Sequence, residues 1–171
     1  MLHLSNIELA YIAGFLDGDG SILLQIVKQK QYKYGFTIRV SVCFYQKKTR
    51  YWFLLWLKKK LRHGRVHLRT DGMAQYTLTG FSLVYTVVQA LLPYLQIKRP
   101  LAKLCLKVIE SYDRITTKAD FLEVCYLIDK AAKLTDSKNR KYTGAIVQQF
   151  FDSPVETFPP SFPPSSSSEE R

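Results

Sequence analysis

The stretch Ile12-Ala13-Gly14-Phe15-Leu16-Asp17-Gly18-Asp19-Gly20 joins an apolar helical segment to two carboxylates and three closely spaced glycines. Just upstream, Ser5-Asn6-Ile7-Glu8 has the form of a capping box, in which Ser5 caps and Glu8 reaches back to its amide. A helix is therefore predicted from about Ile7 to Gly18. Ala10, Gly14 and Gly18 recur every fourth residue and so share one helix face. A helical glycine costs about 1 kcal/mol relative to alanine, so two of them need a reason. Close approach of another helix is one such reason. Asp19 adds a second conflict, because a helix C-terminus already carries partial negative charge. If two copies of this helix pack side by side, their carboxylates converge and resist joint ionisation. A divalent cation with hard oxygen ligands relieves both conflicts, and a metal beside a phosphate backbone points to phosphodiester hydrolysis. Patterning alone leaves an alternative open: a surface turn with Asp17 and Asp19 simply solvated.

Outward from that stretch, the pattern switches to alternation. Residues 21–29 begin it, and Phe36, Ile38, Val40, Val42 and Phe44 then repeat at every second position. Such spacing predicts half-buried strands with one apolar and one largely polar face. Lys30 to Gly35 suits the hairpin turn between them. A helix is predicted from about Thr49 to Leu61 or Arg62, with Gly64 placed to stop it. Residues 65–69 and 75–79 alternate again across an Asp71-Gly72 turn. A helix carrying Val84, Val87, Val88, Leu91 and Leu92 follows. Further helices are expected after Pro100, after Thr117 and around Val147. Trp52 and Trp56, four apart, are expected in the core. The order α-β-β-α-β-β-α with extra C-terminal helices is an α+β plan, helices on one face of an antiparallel sheet. One domain is expected over residues 1–152. Residues 153–171 hold five of the seven prolines and a four-serine run, and are expected to form a flexible tail.

The charge is concentrated on the same segment. The chain has 171 residues, 25 Lys and Arg against 14 Asp and Glu, and a formal charge of +11. From Gly20 to Thr70 there are 13 Lys or Arg and no acid. A long stretch without acids suggests a surface for phosphates, although an acidic protein would also suit it. No apolar run is long enough for a membrane span, and no secretory pattern opens the chain. Three scattered cysteines give neither a disulfide framework nor a zinc spacing.

Residues 12–20 resemble the motif of the LAGLIDADG homing endonucleases, with Gly18 in the alanine position. Other segments agree in order. Tyr45 to Phe53 resembles the end of the second strand and the start of the next helix. Leu92 to Lys98 resembles the segment with a basic active-site residue. Phe121 to Cys125 and Asp136 to Lys141 resemble C-terminal elements of the small single-motif members. The resemblance implies the αββαββα fold with a saddle-shaped sheet, and a homodimer whose motif helices pair through Ala10, Ala13, Gly14, Asp17 and Gly18. It implies that Asp19 is the metal-binding catalytic carboxylate and that the Gly18 carbonyl assists it. Asp17 is expected to be structural. Gln46, Arg50 and Lys98 match the catalytic periphery, which positions water and stabilises phosphate charge.

On this reading the polar sheet face meets double-stranded DNA. Same-face side chains repeat about every 6.6 Å along a strand, close to two base-pair rises. The candidates are Leu23, Gln25, Val27, Gln29, Gln31 and Tyr32 on the first strand and its turn. Thr37, Arg39, Ser41, Cys43 and Tyr45 lie on the second. His67, Arg69, Gln75 and Thr77 come from the second hairpin. Gln suits adenine and Arg suits guanine. Lys47, Ser137, Lys138 and Lys141 suit phosphates. The family implies Mg²⁺, with Mn²⁺ as a substitute and Ca²⁺ supporting binding without efficient cleavage. It also implies cleavage of both strands with short 3′ overhangs, and a role in intron homing. No membrane or small-molecule cofactor is expected. An organelle is the expected setting, chloroplast before mitochondrion, with a prokaryotic cytoplasm as the alternative. Two readings compete: an intron maturase that binds RNA, and a DNA-binding regulator that does not cut.

Overall fold

The structure is a computed structural model that describes residues 4–135 and 140–153. The first helix, α1 (Asn6–Asp19), begins at Ser5, and both halves of its capping box are formed. Lys60 pairs with the same Glu8 and lies over the Trp56 ring, so the cap is tied to the next helix. Gly20 ends α1 and begins β1 (Gly20–Lys28), which pairs antiparallel with β2 (Phe36–Lys47). No loop separates helix from strand. A Cβ at Gly20 would lie 2.5 Å from a Leu16 methyl and 2.9 Å from the Leu16 backbone, so only glycine fits the junction.

A single 3₁₀ turn (Lys48–Arg50) precedes α2 (Tyr51–Leu61). The predicted helix start near Thr49 is thus two residues early. Its stop is also different: Arg62, at φ 63°, takes the left-handed cap position expected of Gly64. Gly64 is also left-handed, at φ 85°, and is needed for packing besides, because a Cβ there would lie 2.6 Å from the Thr77 carbonyl and 2.7 Å from the Tyr76 ring. Strands β3 (Arg65–Leu68) and β4 (Met73–Thr79) close the sheet in the order β1-β2-β4-β3. Helices α3 (Phe81–Leu91), α4 (Arg99–Tyr112), α5 (Lys118–Asp129) and α6 (Gly144–Asp152) complete the described chain.

The strand alternation sorts the sheet as expected. Ile22, Leu24 and Ile26 of β1, Phe36, Ile38, Val40, Val42 and Phe44 of β2, and Ala74, Tyr76 and Leu78 of β4 are all buried in one core. Leu54, Leu57 and Leu61 of α2 and Val84, Val87, Val88 and Leu91 of α3 fill it from the helix side. Trp56 packs partly against this core, stacked on Phe53. Trp52 does not: it is 66% exposed, because its position on α2 turns away from the Leu54–Leu57–Leu61 stripe. No described helix is long and apolar enough to cross a membrane. The expected tail lies outside the described residues apart from Ser153.

Candidate nuclease centre and nucleic-acid interface

The centre forms where α1 hands over to β1. Asp19, the last residue of α1, is exposed. Its Oδ2 accepts a hydrogen bond from Gln46 Nε2 at 3.1 Å, and Gln46 Oε1 accepts one from Arg50 Nη1 at 3.2 Å. Gln46 is 8% exposed, so its amide is held in place between the two charged partners. Register explains the meeting: Gly20 pairs with Phe44, which puts the end of β2 beside the start of β1. The 3₁₀ turn then lifts Arg50 back over Gln46, four residues on. Three residues of the predicted catalytic set are therefore one hydrogen-bonded chain.

Lys98, the fourth, arrives through Asp17. The Asp17 carboxylate accepts the backbone amides of Gln96 at 2.7 Å, Ile97 at 3.2 Å and Lys98 at 2.8 Å. Lys98 Nζ in turn donates to the Asp17 carbonyl at 2.6 Å. Asp17 thus caps the turn that leads into α4 and fixes the Lys98 backbone beside the end of α1. The pairing spans 81 residues of sequence, so nothing local announces it.

The donor set suits a hard divalent cation. Asp19 keeps an exposed carboxylate, and Gly18 lies in the last helical turn, where carbonyls lack helical amide partners. Among the described residues of one chain, no group of three or more His, Cys, Asp or Glu is placed to hold a metal. A cation held at Asp19 would therefore need further oxygen ligands besides this one carboxylate.

The exposed side of α1 bears on where they come from. Ile7 is 82% and Tyr11 57% exposed, and Ala10, Gly14 and Gly18 are exposed on the same face. A Cβ at Gly14 or Gly18 would meet nothing within 4 Å. Among the described residues, no neighbour requires those two glycines. Ala13 departs from its expected place on this face: it is fully buried among the chain's own core residues, one position round the helix. Asp17 likewise faces the 96–98 turn.

On the outer sheet face, Gln25 lies opposite Arg39, Leu23 opposite Ser41, and Val27 opposite Thr37. Tyr45 lies opposite Gln75, which lies opposite His67. Gln25, Gln31, Tyr32, Arg39, Lys47, His67, Arg69 and Lys141 are exposed, and Leu23, Val27, Gln29, Tyr45, Gln75 and Thr77 are half-buried. Three candidates are shielded. Cys43 is 1%, Ser41 4% and Thr37 9% exposed. The cause is packing between longer neighbours on a central strand. Ser41 bonds Thr79 at 3.1 Å, and Cys43 sits between Thr77 and Gln75, whose Nε2 reaches Sγ at 3.4 Å. These three side chains are therefore recessed on the outer sheet face, unlike the other candidates described there. Ser137 and Lys138 lie outside the described residues.

Burial beside Cys43 pushes the Tyr45 phenol up to about 12, so it remains a neutral hydrogen-bonding group. Arg69 is paired with Asp71 at 2.7 Å. Arg140 was not singled out by sequence. Its Nη1 reaches the carbonyls of Ile128 at 3.3 Å and Leu24 at 3.5 Å, tying α5 to the edge strand. Together with Gly18, Gln25, Arg39 and Lys98, it lines a groove along β1.

Residues 12–102 match the family model described as LAGLIDADG endonuclease. The chain is 39% identical over 135 residues to DNA endonuclease I-CvuI of Chlorella vulgaris, covering 79% of this chain and 84% of that protein. It is 38% identical over 146 residues to DNA endonuclease I-CreI of Chlamydomonas reinhardtii, covering 85% and 89%. The crystal structure of I-CvuI with its DNA target in the presence of Ca superposes with a TM-score of 0.80 at 36% identity, over 84% of this chain and 91% of that one. The archaeal intron-encoded homing endonuclease I-Vdi141I shares the fold with a TM-score of 0.76 at 18% identity, over 86% and 96%. With the motif helix, the sheet order and the Asp19 centre in place, this chain belongs to the LAGLIDADG endonuclease family.

Proposed function

We propose that the protein is a site-specific DNA endonuclease that works as a homodimer and hydrolyses both strands of a long pseudo-palindromic site. The observation that carries this reading is the Asp19–Gln46–Arg50 chain at the foot of a basic, outward-facing sheet. A pure binding module has no use for a carboxylate held in place by a buried amide at the end of a helix.

Two α1 helices packed through Ala10, Gly14 and Gly18 bring two Asp19 carboxylates together, one per DNA strand. A divalent cation held by Asp19 and the Gly18 carbonyl would polarise the scissile phosphate and acidify a bound water. Mg²⁺ is the physiological ion on this reading, Mn²⁺ substitutes, and Ca²⁺ supports binding without efficient cleavage. Gln46 orients the Asp19 carboxylate and, through it, the water-binding side of the centre. Arg50 and Lys98 place positive charge where negative charge grows on the phosphate. The backbone amides that bind Asp17 keep Lys98 at that position. Along β1, β2 and the second hairpin, Gln25, Arg39, Gln75, His67 and their neighbours read base edges. Lys47 and Lys141 contact phosphates. Two half-sites give about 20 base pairs, near one helical turn for each subunit. The products carry short 3′ overhangs, and the break initiates intron homing in an organelle, as a chloroplast setting would suit.

The test is selection from a randomised duplex library by the purified full chain, in Mg²⁺ and in Ca²⁺. One enriched pseudo-palindrome, cut in Mg²⁺ and only bound in Ca²⁺, is expected. Enrichment without cutting in Mg²⁺ would replace the nuclease with a regulator. No enrichment would move the search to intron RNA.

A further inference from the structure

The C-terminal helix α6 has no part in the centre described above, yet it is packed against the tip of the first hairpin. Its own seat is firm. Thr143 caps it, Gly144 N donates to Asp129 Oδ2 at 2.8 Å, and Tyr126 OH bonds Gln148. Gly144 lies so close to the Tyr126 ring that a Cβ would come within 2.6 Å of it. From that seat, α6 presents Phe150 and Phe151 to the hairpin. The Phe150 ring packs edge-on against Phe36 at 5.2 Å between centroids, with the Lys28 ammonium 5.2 Å above it. Phe151 meets Tyr34 at 6.3 Å, and the same Tyr34 packs on Phe121 at 5.2 Å. Gly35, at φ +71°, passes so near that a Cβ would lie 3.1 Å from the Phe150 ring. From the other side, Tyr34 OH and Lys33 Nζ both donate to the Thr116 carbonyl, at 3.2 and 3.4 Å.

This arrangement answers a mechanical problem. An isolated two-stranded hairpin is marginally stable in water, and beyond the Lys28–Phe36 pair the chain runs through seven turn residues. The strand β1 has nine residues, so its far end lies roughly 30 Å from Asp19 at about 3.3 Å per residue. At about 3.4 Å per base pair, that is about nine base pairs from the centre of the site. Gln29, Gln31 and Tyr32 therefore sit over the outer end of a half-site, where a loose tip would read nothing. Base readout requires donors and acceptors held in register.

We propose that α6 is a brace for the hairpin tip, and that Phe150 is a positioning residue for base discrimination at the outer ends of the target site. The inference rests on the DNA-endonuclease reading and concerns this aromatic cluster, which no catalytic residue touches. Phe150 is itself 44% exposed, so its truncation leaves the main core intact.

The test uses full-length protein and the site that the wild-type selects. Relative binding in Ca²⁺ is measured for every single-base substitution of that site, with wild-type, Phe150→Ala and Phe150→Tyr. A base contact ordinarily discriminates by about fivefold to a hundredfold. With Phe150→Ala, discrimination at the outermost base pairs is expected to fall towards onefold, while that at the central pairs is kept. Phe150→Tyr, which restores an aromatic ring, is expected to recover the outer discrimination. An unchanged profile for Phe150→Ala, a loss spread evenly over all positions, or failure of Phe150→Tyr to recover would overturn the brace while leaving the endonuclease reading intact. If the wild-type enriches no DNA site, the endonuclease reading itself falls and takes the brace with it.

Discussion

At Asp19, the proposed centre asks one side chain to be both a helix-terminal carboxylate and a metal ligand. Asp19→Asn keeps the shape and one oxygen but removes the charge that a cation needs. Cleavage is expected to vanish while DNA binding in Ca²⁺ persists, as read by a gel shift and a nicking assay on the same preparation; a variant that unfolds would make Asp19 structural. Gln46 acts one bond further out. Removing a hydrogen-bond partner of a metal ligand typically lowers metal affinity or activity about 10- to 100-fold. Gln46→Ala is therefore expected to raise the Mg²⁺ concentration needed for half-maximal cleavage, with binding of the target little changed. Asp17 has a different kind of role. Three backbone amides converge on its carboxylate, while the Lys98 ammonium donates to its main-chain carbonyl. Leaving those amides without a partner costs about 1–3 kcal/mol, which Asp17→Ala should show in urea unfolding.

Secondary-structure ends carry much of the titration behaviour. The Asp120 carboxylate accepts the amides of Thr116 and Thr117 and the Thr116 hydroxyl, and these bonds hold it well below the usual carboxylate range. The Lys60 ammonium and the Ser5 amide likewise lower Glu8. A lowered folded-state value means that the charged form is favoured by folding. The stabilisation is complete above the unfolded value near 4 and is lost as pH falls through the folded value. The difference in stability between wild-type and Asp120→Asn should thus be full at pH 7, begin to shrink below about pH 5, and close under strong acid. A gap that stays constant from pH 7 to pH 2 would refute this. On the sheet, Arg39 stands opposite Gln25 and is exposed. If it reads a base, Arg39→Ala should relax discrimination at one position by about 1–3 kcal/mol and leave the other positions alone.

For the whole molecule, the question is what covers the exposed face of α1. Leucine at position 14 improves helix propensity by about 1 kcal/mol, and a Cβ there meets nothing within 4 Å among the described residues. Gly14→Leu should therefore fold as well as wild-type or better, yet sediment as a monomer and fail to cut both strands. A dimer that survives this change would place the subunit contact elsewhere. Salt should matter as much as partner. The 13 cations between Gly20 and Thr70 meet no acid in that stretch, so affinity for DNA should fall steeply with ionic strength. Removing one phosphate contact, as in Lys47→Ala, should reduce the logarithmic slope by about one.

Periodicity and capping chemistry were enough to place every strand and the first helix, because those signals are local: Ser5 with Glu8, Phe36 through Phe44, Asp71-Gly72. The charge count and the nine residues ending at Gly20 pointed to phosphates and a metal for the same reason. What no local signal carries is which distant groups meet. Asp17 closing on the 96–98 turn, Trp52 facing outward, Ala13 lying inside, and Thr37, Ser41 and Cys43 covered by their neighbours all depend on how helices pack over a sheet. So does the brace of Phe150 against Phe36, across more than a hundred residues. Side-chain alternation along a strand selects a face, and that much is written residue by residue. Whether a residue on that face is open to a partner depends on the size of its cross-strand neighbours, which only the folded sheet brings together.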